Sequence, residues 1–436
     1  MGGDTTVSES AAAPIKRSAT QEALIGRGWP IFRVPPHVRE AEKGAYIPKI
    51  VSIGPLHYHE PSLRAFEIQK NRFLTRLQNR MKNCEVLENA IKEMEEKTRK
   101  CYSDDFHDRI NSDDFVRMML LDGCFVVELL RLYTKSNYQG NDVKEPILET
   151  RWMVPNIGRD LLMLENQLPM FLLQKIFDMT TVESEATPLN KLALRFFEPL
   201  RPGKDKLAKK ILNAEGEHPH LLAQFQCTFM SPNDNRRHSF PNSPEREDQS
   251  RYEKIPGKGW IQNATTLTYA GIRFKKKSGK FLDIVYKNKK LKIPTLFIDD
   301  GTSTLLRNLI AYEQSNRWAA AYFSCLAVFL DSIVDTENDI NVLRRAGIIK
   351  QAKGGDQEVV TLFNSLTKGL EIDMDDCYIT KQIEDINRCC RSHKARVRFR
   401  RILSKINFKG LNDTYVSSIM TLIYIWYFIK DNAPAT

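Results

Sequence analysis

The residues of this chain with the most chemical potential are polar groups set inside apolar sequence. Glu165-Asn166-Gln167 interrupts residues 161–177, of which eleven are apolar. A carboxylate enclosed there needs a partner, because burying an unpaired charge is costly. Two uses fit it: a polar site inside a core, or a structural network that satisfies backbone groups, and the second is the commoner fate. His57 and His59 flank Tyr58 at a spacing that sets both on one side of a strand. With no third ligand nearby they are read as surface or hydrogen-bonded histidines and not as metal ligands. Asp299-Asp300-Gly301-Thr302-Ser303 has the letters of a metal or phosphate site, but the same letters make a turn and N-cap for a following helix. Cys124 has a nucleophile's side chain, yet apolar neighbours raise a thiol's pKa and bury it. The sequence contains no P-loop, GxSxG, HExxH, kinase signature or zinc spacing. No catalytic, cofactor-binding or metal-binding residue is therefore assigned. An enzyme alternative rests on a polar pocket near Glu165, His57 or Asp299 and Asp300.

The elements that must position these groups follow from periodicity. Pro169 disfavours helix in the residue before it, so the Glu165 stretch reads as two short helices meeting at a bend, with Glu165 or Asn166 as capping oxygens. Upstream, residues 29–39 and 46–57 are proline-rich and read as an extended segment laid across a later body. Apolar residues at three- and four-residue steps predict a long amphipathic helix over 63–81. Residues 85–100 predict a solvated helix held by local ion pairs. Ser112-Asp113-Asp114 is expected to cap a strongly apolar helix over 115–133, whose Gly123 implies close helix packing. Residues 231–258 hold almost no core formers and read as a mobile loop. A short helix over 263–270 comes next, then a hairpin whose strands at 281–286 and 291–293 flank Lys287-Asn288-Lys289-Lys290, with an edge strand at 273–277. The basic residues there suit phosphate contact or, more simply, turn solvation and protection of a sheet edge. Further helices are expected over about 304–330, 335–345 and 358–370, with Lys353-Gly354-Gly355 as the turn between the last two.

At 436 residues the chain can bury a large core, and 42% hydrophobic with 27% charged residues excludes wholesale disorder. A net charge of +11 points to an acidic partner, either nucleic acid or an anionic membrane surface. Eight scattered cysteines without a CxxC pair fit reduced thiols in a cytosolic setting. No secretory signal peptide is expected. Gly2 with Thr6 fits a loose N-myristoylation pattern, and residues 1–28 read as a flexible tail.

The strongest physical signal lies at the other end. Residues 387–411 carry Arg388, Arg391, Lys394, Arg396, Arg398, Arg400, Arg401, Lys405 and Lys409 and no acid. An apolar run over 415–429 follows, with Tyr415, Ile419, Leu422, Ile423, Ile425, Trp426, Phe428 and Ile429 as its membrane-facing candidates. As a helix it reaches ~22 Å, short of a ~30 Å hydrocarbon core, so spanning requires bilayer thinning or help from its flanks. The competing reading docks it on the protein's own core. An anchored run would place the body in the cytosol by the positive-inside rule and attract anionic lipid, with Cys389 and Cys390 as palmitoylation candidates. Nucleic acid ranks last as a partner, because the run lacks a recognition fold or interleaved stacking aromatics.

Three blocks in order resemble the signatures of the plant family called domain of unknown function 247: Ile50-Val51-Ser52-Ile53-Gly54-Pro55-Leu56-His57, Met119-Leu120-Leu121-Asp122-Gly123-Cys124-Phe125, and Arg159-Asp160-Leu161-Leu162-Met163-Leu164-Glu165-Asn166-Gln167-Leu168-Pro169. The resemblance resumes at Ala270-Gly271-Ile272-Arg273-Phe274, Leu291-Lys292-Ile293-Pro294, Arg307-Asn308-Leu309-Ile310-Ala311-Tyr312-Glu313-Gln314 and Leu343-Arg344-Arg345-Ala346-Gly347-Ile348-Ile349. It implies a plant protein without an established catalytic activity, from a family that includes proteins encoded at grass self-incompatibility loci. It also implies a longer hydrophobic anchor after an Asn-Pro-Trp turn, where this chain has Lys409-Gly410-Leu411 and a shorter run. The expected fold is mainly α: one large helical domain over 29–408 with a small antiparallel β-hairpin, then a hydrophobic segment within 409–436. The expected function is non-enzymatic recognition or signalling through an unidentified protein partner, without a cofactor, at a membrane and by preference the plasma membrane.

Overall fold

The computed structural model describes residues 31–391, apart from 82–84, 105, 107, 141–143, 183–186, 204, 213–217, 230–259, 317–318, 352–353 and 373–376, together with Thr421. The fold is mainly helical and is built on one 27-residue helix, Ser112–Tyr138. Asn111 caps it by accepting from the Asp114 amide at 2.8 Å, one residue ahead of the cluster expected to do so. Nearly every side chain from Phe115 to Thr134 is buried, as a helix apolar all round requires. Helices Glu67–Gln78, Met170–Thr180 and Leu189–Phe197 pack around it. A Cβ at Gly123 would run into Ile176 of the Met170–Thr180 helix, which is the close approach its position implied.

Two predicted helices of the first half are subdivided. The first opens as a 3-10 segment, Pro61–Phe66, before the α-helix Glu67–Gln78. Residues 85–100 form two helices, Glu85–Glu93 and Glu95–Arg99, and are not wholly solvated. Arg99 lies over the Phe115 ring at 3.9 Å and donates to the Ile110 carbonyl at 3.0 Å.

Residues 31–57 form an irregular strap across this body, in which short helical turns at Pro36–Arg39, Lys43–Tyr46 and Pro55–His57 interrupt the extended run expected of a proline-rich segment. Outside those turns its amides lack helical partners and must be satisfied elsewhere. Asp160 accepts from the amides of Lys49, Ile50 and Val51 at 2.7–3.1 Å. Asn166 accepts from Ile53 at 2.6 Å and donates to the Val51 carbonyl at 3.0 Å. Asp122 accepts from Gly54 at 2.8 Å, and Glu165 from Val34 at 2.8 Å. Neither Glu165 nor the Asn166 oxygen therefore caps the bend helices, although the Asn166 side-chain nitrogen donates to the Asp160 carbonyl at the end of helix Met153–Asp160 at 3.0 Å. Met170–Thr180 starts behind Pro169 without a side-chain cap, because the oxygens expected there are taken by the strap.

In the second half, β1 (Arg273–Lys277), β2 (Val285–Lys287) and β3 (Lys290–Pro294) form a sheet in the order β1-β3-β2. The expected antiparallel hairpin is β2-β3, turning through Asn288 and Lys289 at φ 53° and 56°, the left-handed pair that suits a two-residue hairpin turn. The edge strand β1 runs parallel to β3. A second parallel pair, β4 (Leu296–Ile298) with β5 (Ile349–Gln351), had no signal in the sequence. The helix expected over 304–330 is two, Thr302–Ser315 and Tyr322–Ile333. Glu313, at the end of the first, accepts from the Phe323 and Ser324 amides at 2.9 and 2.8 Å and so caps the start of the second. Asn308 joins the two halves, donating to the Ala45 carbonyl and accepting from the Leu164 amide.

The tail over 1–28 with Gly2, the loop over 231–258, the basic residues Lys394 to Lys409 and the anchor candidates over 415–429 lie outside the described residues, Thr421 apart. Among the described residues no helix is long and apolar enough to cross a membrane.

Candidate functional site

Of the polar groups singled out above, the structure brings Glu165 and His57 together. His57 ends a 3-10 turn, Pro55–His57, that the strap can enter only through glycine. Gly54 has φ 74°, and a Cβ there would lie 2.8 Å from the Gln167 carbonyl. Glu165 sits in the connection between helices Met153–Asp160 and Met170–Thr180 and is fully buried. Its Oε1 accepts from Val34 and from the Arg39 guanidinium. Its Oε2 faces His57 Nε2 at 3.5 Å and Arg33 Nη1 at 3.9 Å. Neither His57 Nε2 nor Glu165 Oε2 has a hydrogen-bond partner among the described residues. Burial, and then the Arg39 and Arg33 charges, push His57 down to about 4, so the ring is neutral near pH 7.

His57 lines an open cleft of about 310 Å³, walled by Arg33, Leu56, His59, Glu60, Phe106 and Arg109, with Glu165 behind it. Asp104 holds Arg33 at 2.7 Å and Arg109 at 3.6 Å. A neutral imidazole backed by a carboxylate is an acid–base pair. No Ser, Thr or Cys among the described residues lines the cleft to serve as its nucleophile. His59 is exposed, edge-on to Tyr58. Among the described residues no group of three or more His, Cys, Asp or Glu side chains could hold a metal ion.

Asp299 and Asp300 stand apart from this cluster. Asp299 accepts from the Gly301 amide at 2.9 Å and the Thr302 hydroxyl at 3.1 Å, forming the expected turn before the helix, although the cap position itself is Gly301. With Arg159, Arg201 and Phe297 it lines a separate cavity of about 20 Å³, room for a water molecule, and Asp300 is exposed. The two cavities share no lining residue.

Cys124 is fully buried, as its apolar neighbours implied. Cys389 and Cys390 are half-buried in helix Thr380–Arg391, and burial pushes the Cys390 thiol up to about 11. On the same helix Arg388 and Arg391 are exposed, Arg388 beside Asp385 at 3.2 Å.

The sequence reading missed Asp122, Asp160, Lys70, Arg33 and Arg39. Lys70 and Asp122 form a buried ion pair at 2.6 Å, and burial still pushes the Asp122 carboxyl up to about 6. The signal was available, since Asp122 inside Leu120-Leu121-Asp122-Gly123 is an acid in apolar sequence as much as Glu165 is.

A family described as plant protein of unknown function, DUF247, matches residues 31–425. The chain is 29% identical over 371 residues to the UPF0481 protein At3g47200 of Arabidopsis thaliana, covering 82% of this chain and 76% of that one. It is 24% identical over 466 residues to a second Arabidopsis thaliana protein carrying the UPF0481 name, At3g02645, covering 88% and 85%. No solved structure matches the chain.

Proposed function

The chain belongs to the plant family DUF247, and from that premise we propose that it is a non-enzymatic recognition or signalling protein, attached to a membrane and acting through contacts with other proteins. The observation that carries this reading is the use made of its buried carboxylates. Asp122, Asp160 and Glu165 each bind backbone amides of the 31–57 strap, so the residues that looked most chemical fix the chain in place. Membrane attachment is supported by the order of the C-terminal sequence, a run of nine basic residues without an acid followed by the apolar run over 415–429. That order favours a cytosolic body at the plasma membrane. Self-incompatibility is the recognition setting that the family resemblance implies.

Fractionation of the full-length protein beside a chain ending at Asn412 tests the attachment. An integral anchor predicts that full-length protein resists both carbonate and high-salt washes while the shorter chain is soluble. Release by salt alone would reduce the attachment to surface binding, and a soluble full-length protein would end the reading. A second reading is favoured by one observation, the facing and unpartnered His57 Nε2 and Glu165 Oε2 beside the cleft. An acid–base enzyme needs that histidine to titrate near its working pH, and an NMR titration of His57 tests this.

A further inference from the structure

The three-stranded sheet carries a charge pattern that its fold does not require. Phe274, Leu291 and Ile293 are buried beneath it, while Arg273, Lys275, Lys287, Lys290 and Lys292 are exposed on its other face. The register sets like charges side by side: Arg273 beside Lys290, Lys275 beside Lys292, and Lys287 opposite Lys290. Like charges opposed across strands destabilise a sheet. None of these five has an acidic partner among the described residues, whereas Lys277, at the end of the row, pairs with Asp283. Lysines on edge strands discourage unwanted pairing. Lys290 and Lys292, however, lie on β3, the central strand, where there is no edge to protect.

The neighbouring chain indicates what this face meets. Helix Thr380–Arg391 packs against β2, with Cys389 beside Tyr286 on the face opposite the lysines, so Arg388 and Arg391, the first two residues of the basic run, stand close to the sheet. That run leads into the apolar residues 415–429. A basic face on the body, with a basic run and then an apolar one in the sequence that follows, matches the chemistry of a membrane interface, where cations meet headgroups and apolar side chains enter the acyl boundary. Nucleic acid would engage the charges and leave the apolar run without a role. We propose that the outer face of the β1-β3-β2 sheet is a docking surface for anionic lipid headgroups. The proposal rests on the membrane reading above and adds which side of the body lies against the bilayer.

The test uses the full-length chain carrying Ile419→Asp and Ile425→Asp, so that insertion of the apolar run does not mask electrostatic binding. In that background Lys275→Gln, Lys290→Gln and Lys292→Gln are combined. Each basic residue near an anionic surface contributes about fivefold, so the triple change lowers partitioning onto phosphatidylcholine–phosphatidylserine vesicles ~100-fold. Arginine at the same three positions binds as the parent does, and vesicles of phosphatidylcholine alone show no difference between the variants. The glutamine variant melts no lower than the parent, because like-charge repulsion has been relieved. Equal partitioning of parent and glutamine variant would overturn the proposal. So would undiminished vesicle binding together with lost affinity for duplex RNA, which would assign the face to nucleic acid. The fractionation of the unmodified chain reports on the anchor separately, and its failure leaves the vesicle result readable.

Discussion

Asp160→Ala tests most directly whether the strap is held by side-chain acceptors. The carboxylate accepts from three consecutive amides, Lys49 at 3.0 and 3.1 Å, Ile50 at 2.7 Å and Val51 at 3.0 Å. Lys49 is exposed and Ile50 half-buried, so their amides regain water when the carboxylate is removed. Val51 is fully buried and its amide does not. One orphaned buried amide at ~1–3 kcal/mol plus two charge-assisted bonds exchanged for water at ~1 kcal/mol each gives a loss of about 4 kcal/mol. That is a large part of the ~5–15 kcal/mol by which domains are stable. Asp160→Asn should lose about half as much: it keeps one acceptor, and it removes a carboxyl that burial pushes up to about 6. Urea unfolding near neutral pH should show a lower midpoint, and hydrogen exchange should accelerate over residues 45–57 more than in the central helix. A loss under ~1 kcal/mol with unchanged exchange at Val51 and Ile53 would refute the reasoning. The strap would then be held by the apolar contacts of Tyr46, Val51 and Ile53 and by its bonds to Asn166, Asp122 and Glu165, with Asp160 adding little.

Three further outcomes follow from the same geometry. The His57 ring should titrate at about 4 by NMR, against an ordinary 6.5. The unfolded chain takes up that proton through pH 6.5 and the folded chain only near 4, so the stability difference is absent above 6.5 and about 3 kcal/mol is lost as pH falls across that window. His57→Phe should abolish this loss relative to the parent, and a ring that titrates near 6.5 in the folded protein would contradict it. Lys70→Met leaves Asp122 buried and unpaired and should cost ~3–5 kcal/mol, much of it recovered in the Lys70→Met/Asp122→Asn double variant as measured by urea unfolding. Gly123→Ala should destabilise by ~1–2 kcal/mol, overpacking outweighing the gain in helix propensity, with Ile176→Val restoring part of the melting temperature.

What the sequence disclosed and what it concealed divide along the range of the contacts. The central helix, the proline-rich strap and the β2-β3 hairpin were legible because period, proline content and turn residues are local. The break after Ser315 was not, because the residue that starts the next helix is Glu313, a carboxylate capping a segment ten residues on. Burial pushes that carboxyl up to about 7 despite four donors, which marks it as enclosed in a way no local pattern reveals. The parallel pairings β1-β3 and β4-β5 were likewise hidden, since their partners are set by the body between them. At the candidate site, a partner for Glu165 was foreseeable, but the capping role assigned to it was wrong because the donors come from Val34 and Arg39.

The three blocks that carry the family resemblance meet at one junction. The first supplies the Ile53 and Gly54 amides, the second supplies Asp122, and the third supplies Asn166 together with the Gln167 carbonyl that excludes a side chain at Gly54. Each block completes hydrogen bonds that the others leave open, so a change in one leaves buried polar groups unmatched in another. Likeness across these blocks therefore reports the junction that closes the fold, and it would persist among relatives whatever each of them recognises. Recognition can vary only on faces outside that junction. The basic outer face of the sheet is such a face, and its charges on β3 serve neither the core nor the edges of the strands that carry them.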